Sequence, residues 1–222
     1  YVEALRKVDT NEQREDAVAF NEAEYELYGF VDDCAPWGGV WLYATTIVAA
    51  SLQAADLLVR GQVEVALNFG GGRHHAKKSE ATGFCFVNDC ALAIIHLLQR
   101  FQRVLYVDID IHHGDGVQEA FWQSNRVLCV SFHHFARGFF PGTGRASELG
   151  EGDGFLYNLN LPIKAGLSDG AFISLYQDVF SWSISAFKPD AIVLCCGADT
   201  LADDPLGCWN LTSLGVAEAV RI

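Results

Sequence analysis

Methionine is absent from the sequence, and the chain opens on Tyr1-Val2-Glu3 with neither a basic segment nor an apolar core. No secretory signal is expected there, and a fragment or processed product is. Basic residues are scarce: 15 Lys and Arg stand against 28 Asp and Glu, a formal net charge of −13. That surplus repels phosphates, so direct nucleic-acid binding is not expected, while attraction to a lysine-rich tail is allowed. Acidic excess is also how an ordinary soluble protein keeps apart from its copies. No run reaches the roughly 18–20 apolar residues that span a bilayer. Residues 44–58 come nearest, but Thr45, Thr46, Ser51, Gln53 and Asp56 interrupt them, so a buried helix and no membrane contact are expected. The seven cysteines (Cys34, Cys85, Cys90, Cys129, Cys195, Cys196 and Cys208) include no Cys-x-x-Cys pair. An odd number, several within apolar runs, reads as buried thiols of a reducing compartment, hence the nucleus or the cytoplasm.

What is present is a hydrophobic half of the chain with only 19% charged residues, enough for a large packed core. Apolar, β-branched runs at residues 63–69, 104–109 and 191–196 predict buried strands, with 127–132 a fourth and 156–161 a weaker fifth. Helix-like stretches occupy 43–60, 88–102, 117–123 and 169–187, the last stopped by Lys188-Pro189. Residues 11–26 are acidic and polar, a surface loop with a short helix. Alternation of strand and helix argues for an α/β domain with a mainly parallel sheet and helices on both faces. No repeat, low-complexity tract or linker divides it, so residues 1–222 are expected to form one domain.

Ligands of such sheets bind beyond the carboxyl ends of the strands. Every histidine except His96 follows a predicted strand there: His74-His75, His112-His113 and His133-His134. Asp108, Asp110 and His112 alternate, so an extended backbone would turn them to one side. With Asp199 after the last strand, one imidazole and two carboxylates plus an open position describe a catalytic metal site. Zinc fits that set, as do ferrous iron and manganese. A single strand-end Asp more often caps a helix; the alternating run with Asp199 favours the metal. His74-His75, behind three glycines, can take a proton from water and return it to a leaving amine, with Asp108 and Asp115 available to fix their tautomers. His133-His134 read as ordinary hydrogen-bonded histidines, and His96 as a satisfied or exposed helix residue.

Four stretches resemble the zinc-dependent histone deacetylase family, in the flavour of its class I enzymes. They are residues 70–89 (GGGRHHAKKSEATGFCFVND), 106–116 (YVDIDIHHGDG), 138–144 (GFFPGTG) and 197–212 (GADTLADDPLGCWNLT), in one order with compatible spacing. The resemblance implies an arginase/deacetylase-like fold and hydrolysis of acetyl-lysine amides by a zinc-activated water. Asp110, His112 and Asp199 match the zinc ligands. His75 matches the general base and acid, and His74 its electrostatic partner. Asp108 matches the carboxylate paired with His74, and Asp115 the one paired with His75. Phe84 and Phe140 match the aromatic walls of the acyl-lysine channel, Gly83 the carbonyl that receives the substrate amide proton, and Asp33 the rim carboxylate that grips the substrate backbone. Structural potassium is implied near Asp108, Asp110, His112, Ser131 and Phe132, and again near Phe121, Val127 and Tyr157.

The resemblance also carries departures. The chain is expected to stop before the family's glycine-rich loop with its oxyanion-stabilising tyrosine, and to start after the first strand, so that alone it would turn over weakly or not at all. Asp203 stands where the family usually has a small residue. Pro205 replaces an arginine that, in some class I members, helps bind an inositol phosphate and a corepressor. Expected partners are acetylated histone tails or other acetyl-lysine proteins, with a corepressor complex allowed. The rival readings are a truncated, non-catalytic binding protein and a deacetylase of acetylated polyamines.

Overall fold

The computed structural model describes residues 1–10 and 22–222, so most of the predicted 11–26 loop lies outside the described residues. It divides into two compact units, Tyr1–Leu97 and Leu98–Ile222.

The first unit is helical. Helix α1 (Val2–Thr10) and helix α2 (Glu22–Leu27) precede a long helix α3 (Val40–Val59), and α4 (Asp89–Leu97) closes the unit. Helix α3 is long and apolar enough to cross a membrane by length and composition alone. It is buried along one stripe only: Val40, Ala44, Ile47, Ser51 and Ala55, at the three- and four-residue spacing of one helical face. The buried helix expected over residues 44–58 thus forms within α3 and buries one face. The Ser51 hydroxyl donates to the Asp89 carboxylate (2.6 Å), and Asn68 Nδ2 donates to Ser51 Oγ (2.8 Å), a polar tie between helices α3 and α4. Leu5, Phe30, Cys34 and Phe86 form the apolar centre of this unit.

The predicted strand at 63–69 does not form. No strand is assigned there, and Val65, Leu67 and Phe69 are exposed, Phe69 by 98%. An apolar β-branched run becomes a strand only when a neighbour takes its N–H and C=O groups.

The second unit carries a parallel four-stranded sheet in the order β3-β2-β1-β4. The strands are β1 (Val104–Asp108), β2 (Val127–His134), β3 (Asn158–Ile163) and β4 (Ala191–Cys195), joined through helices α5 (Asp115–Phe121) and α6 (Asp169–Phe187) and followed by α7 (Ser213–Arg221). The register pairs Val104 with Val127 and Ala191, and ends with Asp108 beside Ser131 and Cys195. Leu105, Val107, Leu128, Val130 and Phe132 pack with Phe172, Tyr176 and Phe187 of α6 and Ala219 of α7. Both residue parities of β1 are buried, as a parallel strand between layers requires. This parallel sheet flanked by helices is the α/β architecture that the alternation of strand and helix predicts.

Candidate active site

In the second unit the sheet brings three predicted ligands together. Strand β1 ends at Asp108, so the alternation expected of extended chain does not continue to His112. Two successive tight turns do the work instead. The Asp110 N–H donates to Asp108 Oδ1 (3.0 Å), and the His112 N–H donates to Asp110 Oδ1 (2.8 Å). Each aspartate thus folds the chain onto itself two residues on, a local bond that Asp makes readily. Asp199 arrives from a 3₁₀ turn after β4, and its Oδ1 accepts the Ile111 N–H (3.1 Å).

The result is one imidazole nitrogen between two carboxylates: His112 Nδ1 lies 3.1 Å from Asp110 Oδ1 and 2.9 Å from Asp199 Oδ2. Ligands bonded tetrahedrally at roughly 2.0–2.1 Å to a zinc ion stand about 3.3 Å apart, so the donor atoms are near the spacing such an ion needs. Two carboxylates with one neutral imidazole also cancel a divalent charge. Burial opposes charge on His112, but hydrogen bonds and attraction from Asp110 and Asp199 outweigh it and lift its pKa to about 9. Asp199 is pushed upward by burial and by the like charge of Asp110. A cluster that draws a proton so strongly is one that a cation would occupy. The residues therefore fit a divalent metal.

Asp108, fully buried, is turned away from that set: its Oδ2 accepts the Tyr106 hydroxyl (2.6 Å) while Oδ1 holds the Asp110 amide. Asp115 is buried at the first turn of α5. Ser131 sits beside Asp108 in the sheet, and Phe132 is core. The carbonyls of Phe121 and Tyr157 accept backbone bonds from Ser124 (2.9 Å) and Cys129 (3.0 Å), and Val127 opens β2.

His133, expected just past the predicted 127–132 strand, lies within β2 and is fully buried. Its Nδ1 faces Ser131 Oγ (2.9 Å), and its Nε2 faces the Gly144 carbonyl (2.8 Å). An acceptor at Nε2 requires a proton on that nitrogen, so Nδ1 accepts from the serine. Burial and the neighbouring His113 hold its pKa down to about 4. His134 Nδ1 lies 2.9 Å from the Ile163 carbonyl. Both behave as the hydrogen-bonded histidines expected.

Phe140 is 39% exposed and meets the His112 ring edge-on, with centroids 6.0 Å apart. Its neighbour Phe139, which the sequence did not single out, stacks flat on His112 (5.1 Å, 6°) and edge-on to His134 (4.6 Å, 79°). Gly197 was likewise passed over. A Cβ there would stand 2.2 Å from Asp110 Oδ2 and 2.5 Å from Asp199 Oδ1, although its backbone (φ −73°, ψ 133°) suits any residue. The sequence signal was a glycine two residues before a predicted ligand. Asp203 is exposed with φ +70°, and Pro205 is exposed.

In the first unit His74 and His75 are both buried, with ring centroids 3.9 Å apart. Asn88 clamps the backbone on either side of His75, donating from Nδ2 to the carbonyls of His74 (3.1 Å) and Ala76 (3.0 Å). The preceding glycines are held by Asp89, whose carboxylate accepts the N–H of Gly72 (3.2 Å) and Arg73 (2.7 Å). Gly83 and Phe84 form the tip of a two-residue hairpin between Thr82 and Cys85. Both tip residues have positive φ, 57° and 63°. Glycine takes that conformation freely, but phenylalanine does so at a cost of about 1–2 kcal/mol. The Phe84 ring is 52% exposed at this tip. The Gly83 carbonyl accepts the Cys85 thiol (3.1 Å) and keeps a second lone pair. Asp33 is exposed in a 3₁₀ turn, and His96 lies 3.4 Å from Asp56. Burial pushes the Cys34 and Cys85 thiols up to about 12, so they remain protonated at neutral pH.

A parallel sheet with an imidazole and two carboxylates converging beyond β1 and β4 places the chain among α/β proteins with a candidate divalent-metal centre. Comparison with known proteins narrows the class: the chain belongs to the histone deacetylase family, whose domain it matches over residues 1–222. It is 49% identical to histone deacetylase 2 of Oryza sativa subsp. japonica over 190 residues, 86% of this chain and 37% of that protein. With histone deacetylase 6 of Arabidopsis thaliana it shares 43% over 221 residues, 100% of this chain and 46% of the relative. With histone deacetylase 1 of Homo sapiens the figure is 42% over 221 residues, covering 100% and 45%. The chain thus spans less than half the length of these relatives.

Proposed function

We propose that this chain forms the catalytic part of a zinc-dependent protein lysine deacetylase, which hydrolyses acetyl-lysine amides in histones or other proteins to acetate and free lysine. The observation that carries the reading is the convergence of Asp110, His112 and Asp199 at 2.9–3.1 Å. Those three residues would hold zinc, which when bound supplies a Lewis acid that polarises the amide carbonyl and lowers the pKa of water. His75 takes the proton of the attacking water and delivers it to the leaving amine; His74 stabilises developing negative charge. Asp108 and Asp115 fix the imidazole tautomers. The acetyl-lysine stem is neutral and apolar, so Phe84 and Phe140 strip its water at little cost, while the Gly83 carbonyl accepts its amide proton and Asp33 grips the peptide backbone. Potassium, at the carbonyls around Asp108 and Ser131 and near Phe121, Val127 and Tyr157, is assigned a structural role. The setting is chromatin and transcription control in the nucleus or cytoplasm, with acetylated tails or other acetyl-lysine proteins as substrates.

The test is deacetylation of an acetyl-lysine peptide by the full-length protein, with its metal content measured alongside. Release of acetate in step with stoichiometric zinc is expected. Stoichiometric binding of acetylated peptide without turnover would favour the non-catalytic reading, and turnover of acetylated polyamines alone would change the substrate.

A further inference from the structure

The segment from Phe135 to Glu148 leaves β2 and returns to the body of the second unit carrying Phe139 and Phe140. Its front is anchored by the Phe135 N–H on the Ile163 carbonyl (3.2 Å) and by Phe139, packed against His112 and His134. Its rear is anchored on one carboxylate. Glu148 Oε2 accepts the Gly144 N–H (3.0 Å) and Gln118 Nε2 (2.9 Å), and Oε1 accepts the Arg145 N–H (3.0 Å). Gln118 is itself fixed, for its Oε1 accepts Nδ2 of both Asn158 and Asn160 (2.7 Å each) and faces His113 Nε2 (2.9 Å). Gly144 is pressed against His133 and His113, where a Cβ would lie 2.4 Å and 2.7 Å from their rings. Between these anchors Gly142 is surrounded by open space and Thr143 is exposed, although the Thr143 hydroxyl reaches His113 Nδ1 (2.8 Å).

From this arrangement we infer that Glu148 is a positioning residue, setting the placement of Phe140 by holding the returning arm of its loop; the inference rests on the deacetylase reading above. Hydrogen bonds to an ionised acceptor are roughly twice as strong as neutral ones, and three of them meet on Glu148. Removing the carboxylate frees the arm at Gly144 and Arg145. Phe139 keeps its own packing on His112 and His134, so the metal ligands stay in place while the Phe140 wall loosens. Substrate affinity falls, and the chemical step does not.

Full-length protein carrying Glu148→Gln or Glu148→Ala, with Glu151→Gln as a control at an exposed glutamate outside this network, tests the inference. Two readouts are needed: the rate of limited trypsin cleavage after Arg145, and KM and kcat for an acetyl-lysine peptide. Cleavage about tenfold faster and KM about five- to twentyfold higher, with kcat within about twofold and metal content unchanged, are expected for both variants. The control should match the parent. Unchanged cleavage, or a fall in kcat with metal loss at constant KM, overturns the positioning role. If the parent shows no deacetylation while cleavage accelerates, the anchoring stands and the deacetylase reading fails.

Discussion

Gly197→Ala is the most informative single substitution, because its effect can be worked from distances alone. The backbone at Gly197 is ordinary extended chain, so alanine adds no conformational strain and acts only through its methyl group. That methyl would sit 2.2 Å from Asp110 Oδ2 and 2.5 Å from Asp199 Oδ1. A carbon and an oxygen need more than about 3 Å, so the Asp110 carboxylate has to retreat by about 0.8 Å and that of Asp199 by about 0.5 Å. Metal sites tolerate roughly 0.2 Å in their ligand distances. Disturbing the residues that orient ligands typically weakens metal binding by about 10–100-fold, or ~1.4–2.7 kcal/mol. Competition with a chromogenic chelator measures it, with Gly170→Ala, which meets open space in α6, as the comparison. Zinc affinity equal to the parent's would refute the reasoning, since no other role of Gly197 predicts a loss.

Phe84→Asn relieves about 1 kcal/mol of positive-φ strain, because asparagine tolerates that conformation, and forfeits about 1 kcal/mol of burial from a half-exposed ring. Urea unfolding should shift by less than about 1 kcal/mol while KM for an acetyl-lysine peptide rises about tenfold; a stability loss above ~3 kcal/mol would make the ring a core residue instead. His133 is neutral in the folded chain down to about 4, whereas unfolded histidine titrates near 6.5. The unfolded state therefore binds the extra proton in that window, and stability, complete above pH 6.5, falls by up to about 3 kcal/mol as the pH drops towards 4. Denaturant midpoints across this range should slope more steeply for the parent than for His133→Gln; parallel slopes would contradict the assignment.

The sheet was legible where composition and boundary signals agree. Helix α6 runs Asp169–Phe187 as expected, because Lys188-Pro189 ends it. Strands β1, β2 and β4 begin where their apolar runs begin. Residues 63–69 look the same in composition and form no strand, since pairing is a property of neighbours that a local run does not carry. Helices α1 and α7 were missed. They are short and weakly apolar, although Thr212, whose hydroxyl accepts the Gly215 N–H (3.2 Å), is a readable helix cap for α7. At the site, residue type picks out Asp110, His112 and Asp199, but side-chain turns at Asp108 and Asp110, not extended chain, bring Asp110 and His112 round, and a 3₁₀ turn after β4 brings Asp199. Glu148, Gln118, Asn158 and Asn160 follow no periodicity, and only the folded chain shows them as one network.

The central claim is that one imidazole and two carboxylates of this chain hold a divalent cation. The most direct measurement is the zinc content of the full-length protein, with the metal's nitrogen and oxygen neighbours read by X-ray absorption, beside Asp110→Asn and Asp199→Asn. One zinc per chain with a mixed nitrogen and oxygen shell, lost in both variants, is the expected result. A metal-free parent, or zinc retained in full by both variants, would contradict it.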